Sequence, residues 1–189
     1  MILGRKLTMV LLIMLLIISA SVAAYNRNQQ LREHREIRQY IVKTVSAAAY
    51  QLTAIQSSLA SISAENRWED PRVRAGLSLT MNRLHDSHAA AMAALSQLSS
   101  FSPKGLLNPV ARTYDKLSIT YYFPIIEALY ENKPLAAGDK ALVQNFVQLL
   151  REAKIDYTGA FDSDELNRLF TRLDEASAKS VRVPSANKK

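Results

Sequence analysis

Met81, His85, His88 and Met92 are the side chains whose types and spacing come closest to a reactive group. Steps of four, three and four place them along one stripe of a helix. Imidazole nitrogen and thioether sulfur are donors that copper accepts. Two imidazoles on one helix make only half a coordination shell, and no acid or cysteine set completes it. The plainer expectation is that Met81 and Met92 fill core gaps. On that reading His88 is hydrogen-bonded in a helix seam and His85 is half exposed. The sequence therefore assigns no metal and no cofactor.

Aromatic residues form a second group. Tyr114, Tyr121, Tyr122, Phe123 and Tyr130 gather around Pro124. Proline inside a helix bends it, and a bend can open a gap between helices. Tyrosine can line such a gap and keep a polar tip. Tyr114, Tyr121 and Tyr122 are thus candidates for a ligand pocket; the alternative is that they fill the core where the backbone bends. Arg67-Trp68 falls in a turn, where the chain's single tryptophan is a candidate partner contact. Its alternative role is to close the end of a bundle.

The acids Asp156, Asp162, Asp164 and Glu165 resemble a calcium loop, but their spacing departs from it. Counting from Asp156, the sixth position is Phe161 instead of glycine and the twelfth is Asn167 instead of glutamate. Helix capping accounts for these acids better. The sequence has no Walker A loop, no GxSxG, no HExxH and no cysteine. Thiol nucleophiles, thiolate zinc sites and disulfides are excluded. Three histidines offer little acid–base machinery, so the expectation is a protein that is not an enzyme.

The elements that must position these residues are helical. Only five glycines occur in 189 residues, and no segment alternates with period two for long enough to argue a strand. Residues 7–24 carry no charge over 18 positions. As a helix they would span roughly 27 Å, close to the lower limit for a bilayer core. Tyr25 follows where an interfacial aromatic would sit. Two readings compete: a permanent anchor, favoured here, or a signal peptide cut near Ala23 or Ala24, leaving a secreted chain. The basic Arg5-Lys6 start favours a bundle outside the cytoplasm. Arg27, Arg32, Arg35, Arg38 and Lys43 beyond the run argue for the reverse orientation. The first is preferred. Arg27, Arg32 and Arg35 are then membrane-surface candidates facing head groups.

Beyond the run, Leu31, His34, Arg38, Ile41, Val45, Ala48, Leu52, Ile55, Leu59 and Ile62 form a heptad seam, wholly apolar from Ile41 onward. Asp70-Pro71 is a cap followed by proline at the first helical position. It opens a second helix with Val73, Leu77, Met81 (or Thr80), Leu84, His88, Ala91, Leu95 and Leu98 on one face. Ser102-Pro103-Lys104-Gly105 breaks that helix, and Asn108-Pro109 repeats the cap pattern for a third, ended by Lys133-Pro134. A fourth helix follows Gly138-Asp139, with Leu142, Phe146, Leu149 and Ala153 inward. Gly159 marks the next turn. Asp162 with Glu165 opens a fifth helix carrying Leu166, Leu169, Phe170, Leu173 and Ala176.

The expected architecture is all-α, an N-terminal transmembrane helix continuing into an antiparallel four- to five-helix bundle. It divides into a basic tail (1–6), an anchor or signal peptide (7–25), a juxtamembrane stalk (26–40), the bundle (41–178) and a disordered basic tail (179–189). The net charge of +7 favours anionic partners. The expected function is a non-catalytic, single-pass envelope protein of a bacterial plasma membrane. Its expected partners are the membrane and a protein or anionic envelope polymer, not nucleic acid. An alternative is a ligand-sensing bundle acting through a partner protein. In layout, a single pass followed by a long helix pair resembles the extracytoplasmic half of a chemoreceptor or sensor kinase. No second apolar run returns this sequence to the membrane.

Overall fold

In a computed structural model, residues 2–130, 135–155 and 162–180 are described, with side chains from residue 12 to 179 within those ranges. All regular structure among them is helical. The helices are α1 (Ile2–Ala64), α2 (Pro71–Gln97), α3 (Leu107–Leu117), α4 (Phe123–Tyr130), α5 (Ala137–Glu152) and α6 (Ser163–Ser180). A 3₁₀ turn (Ser99–Phe101) follows α2, and a π turn (Ser118–Tyr122) joins α3 to α4. Taking α3, the π turn and α4 as one interrupted helix gives five helices among the described residues. The expected turns at Lys133-Pro134 and Gly159, the acid Asp156 and the tail beyond residue 180 lie outside these residues.

The chain divides into two compact units, Met1–Gln39 and Tyr40–Lys189. In the first, all seven side chains of residues 12–18 are more than half exposed. Arg27, Arg32, Arg35 and Arg38 are exposed as well. No helix among the described residues is long and apolar enough to cross a membrane. The side chains of residues 7–11, which begin the uncharged run, lie outside the described set.

In the second unit the heptad seam goes into the core. Ile41, Val45, Ala48, Leu52, Ile55 and Leu59 are fully buried. Seam positions recur every 3.5 residues, so one stripe of α1 meets its neighbours turn after turn. The remaining core comes from the inward faces of α2 through α6, with α3 packed on α2 and α6, α4 on α2 and α5, and α5 on α6. On α5, Val143, Phe146, Val147, Leu149 and Leu150 are buried while Leu142 is half-buried, so the inward face is broader than a single row. On α6, Leu166, Leu169, Phe170, Leu173 and Ala176 are all buried.

Local chemistry sets the helix ends. Asp70 caps α2: its Oδ1 accepts from the N–H of Arg72 at 2.9 Å and of Val73 at 3.4 Å, and Pro71 follows at the first position. Donation from the Arg72 backbone N–H, then from the Arg67 guanidinium, holds the Asp70 carboxyl below its ordinary range. Asp162 Oδ1 accepts from Asp164 N–H at 2.8 Å before α6. The third helix departs from expectation. Asn108 does not cap it, because α3 begins at Leu107 with Leu106 as its cap residue. Pro109 fits there because the first turn's N–H groups have no intrahelical partner to lose. Gly105, at φ +82°, makes the tight approach into that start. At the other end of α5, Arg172 donates to the carbonyls of Ala153 at 3.1 Å and Lys154 at 3.2 Å, just past the helix.

Candidate functional site

The π turn organises the aromatic group. Pro124 has no N–H, and its ring crowds the carbonyl four residues earlier. The backbone widens ahead of it, so Phe123 N–H bonds to the carbonyl of Ser118, five residues back. A wider turn lets two consecutive side chains face the core. Tyr121 is 4% exposed and Tyr122 is fully buried. Tyr121 stacks on Phe146, with ring centres 4.9 Å apart, and Tyr122 meets the same ring edge-on. The expected kink is therefore an extra residue of helix filled by tyrosine, with a packed core where a gap was conceivable.

Tyr122 also reaches His88. His88 is fully buried, with Nδ1 3.0 Å from the Tyr122 hydroxyl and Nε2 3.2 Å from the carbonyl of Val110. A carbonyl only accepts, so Nε2 carries the proton and Nδ1 accepts from Tyr122. Burial is the main force pulling the His88 pKa down to about 4, with the bond to Val110 opposing it. Burial likewise pushes the Tyr122 hydroxyl well above its ordinary value. Both groups are neutral at physiological pH. The rings of Tyr114 and Phe170 flank His88, tying α2, α3 and α6 together.

His85 lies at the outer edge of this cluster, with its side chain one-fifth exposed. Its Nε2 is 3.1 Å from the Tyr114 hydroxyl and its Nδ1 is 3.3 Å from Asp86 Oδ1. Met81 is buried and Met92 half-buried. Both ring nitrogens of His85 and of His88 thus have hydrogen-bond partners within the chain. Among the described residues no group of three or more histidine, cysteine or acidic side chains is gathered as a metal site.

The other candidates separate. Trp68 is 3% exposed, so its ring is part of the core and is not presented to a partner. Neighbouring Arg67 is exposed and pairs with Glu65 at 3.1 Å and Asp70 at 3.3 Å. Arg27, Arg32 and Arg35 belong to the first unit and are remote in sequence from both groups.

A feature that sequence reasoning passed over lies between the last turns of α1 and α5. There a groove of about 470 Å³ is lined by Ala60, Ser63 and Ala64 on one side and Gln144, Asn145, Val147, Gln148 and Arg151 on the other. The only trace in the sequence is the polar row 144, 148, 151 on α5, which reads as an ordinary solvated face.

No family model matches the chain, and no curated protein or solved structure matches it. The geometry itself defines an all-helical bundle with a buried histidine–tyrosine network and a polar groove.

Proposed function

We propose that this is a non-catalytic, single-pass, membrane-anchored protein of a bacterial envelope, whose helical bundle is held out for interaction with a protein or an anionic envelope polymer. The observation that carries the reading is the exposure of residues 12–18, continuous with an uncharged run that starts at residue 7. Aliphatic side chains on every side of a helix have no water-facing side to offer. Each such side chain left in water forgoes roughly 1.5–3 kcal/mol. Lipid removes that penalty without needing a protein partner. The exposed arginines that follow suit an anionic head-group layer, at about 1 kcal/mol each.

Membrane fractionation and a topology reporter fused after Lys189 test the proposal. The chain should stay with the membrane through alkaline carbonate washing, and the reporter should be active only outside the cytoplasm. Leu16→Arg should shift the chain to the soluble fraction. A mature N-terminus at Ala24 or Tyr25 would overturn the anchor, and a reporter active only in the cytoplasm would overturn the orientation.

A further inference from the structure

We propose that the groove between α1 and α5 binds an extended, acidic segment of polypeptide. Its floor on α1 is small: Ala60, Ser63 and Ala64 leave room for a backbone to approach. Its wall on α5 is made of carboxamides, each with one acceptor oxygen and two N–H donors. This is the complement of a peptide group, which has one of each. The side chains of Gln144 and Asn145 are exposed and form no hydrogen bond among the described residues. Gln148 gives one N–H to Glu152 at 3.0 Å, which keeps its oxygen available. Gln56, one turn before Ala60 on the same face of α1, has a buried Oε1 with no partner.

Arg151 supplies the charge preference. It lines the groove, is exposed, and pairs with no carboxylate among the described residues. Among the described residues no acid lines the groove with it. A free guanidinium recognises carboxylate through two parallel N–H bonds. The lining also excludes other occupants. Among the described residues Val147 is its only large apolar one, unlike the mostly apolar walls that hold drug-sized ligands. Among the described residues it contains no aromatic ring on which the apolar face of a sugar could stack.

The inference rests on the bundle being an interaction module, but not on the anchor, so the two fail separately. The test uses the full chain in detergent micelles. It is applied to an array of acetylated, amidated hexapeptides differing at one position among Asp, Asn, Lys and Ala. Asp peptides should be retained about ten-fold more than their Asn counterparts, the scale of one charge-assisted contact. Arg151→Gln should erase that difference. Ser63→Leu, which fills the floor, should remove retention of every peptide. Circular-dichroism melting checks that both variants remain folded. Equal retention of Asp and Asn peptides would overturn the proposal. So would an Asp preference that survives Arg151→Gln, or binding of an oligouronate on a parallel glycan array with no peptide retained.

Discussion

At His88 the surroundings leave one protonation state and one tautomer. The unfolded chain takes up a proton near pH 6.5, whereas the folded chain resists until about pH 4. Between these values the unfolded state binds more protons, so the stability His88 contributes is full above pH 6.5 and is lost as pH falls toward 4. The difference amounts to about 3 kcal/mol. Thermal melts across this window should show the loss, and His88→Gln should flatten it. Tyr122→Phe removes the donor to Nδ1 and leaves a buried acceptor unmatched, which costs about 1–3 kcal/mol. Chemical denaturation at pH 7 measures that cost, and a change below about 0.5 kcal/mol would mean the bond is absent in solution. The histidine's place in a seam was legible from its spacing with Leu84 and Ala91. Its partners were not, because Tyr122 and Val110 stand 34 and 22 residues away and nothing local links them.

Among the elements, α1 and the α3–α4 pair illustrate two kinds of legibility. The seam from Ile41 to Ile62 was readable because heptad spacing is a property of one helix; six of its seven positions are buried, and Ile62, in the last turn of α1, is half-buried. Leu52→Ala should therefore leave a cavity costing about 2–5 kcal/mol, measurable as a lowered denaturation midpoint. The bend at Pro124 was readable as a break, but its form was not. Proline dictates that a hydrogen bond is lost; packing of Tyr121 and Tyr122 against Phe146 selects a widened turn over a simple kink. Asn108-Pro109 misplaced the start of α3 by the same logic. A cap residue followed by proline is a local signal, yet Leu106 is fully buried and starts the helix earlier. Arg172→Met tests a tertiary cap: losing its bonds to Ala153 and Lys154 should lower stability by about 1 kcal/mol in the same assay.

At the scale of the whole molecule the chain pairs a unit whose apolar side chains face outward with one whose apolar side chains face in. Leu16→Arg should change membrane partition while shifting bundle stability by less than about 0.5 kcal/mol, since it removes no core contact. A melt of the variant in detergent, beside the unaltered chain, checks this. The sequence by itself determined the all-helical class, the α1 seam, the cap at Asp70-Pro71 and the inward face of α6. Each of these depends on the 3.6-residue period or on groups within one turn of each other. Only the tertiary structure decided that Trp68 is buried, that His88 donates to Val110 and accepts from Tyr122, and that Gln144, Gln148 and Arg151 line a groove with Ala60 and Ala64. Those outcomes depend on which helices meet and at what height. Contacts between residues dozens of positions apart set that height, and no local spacing records it.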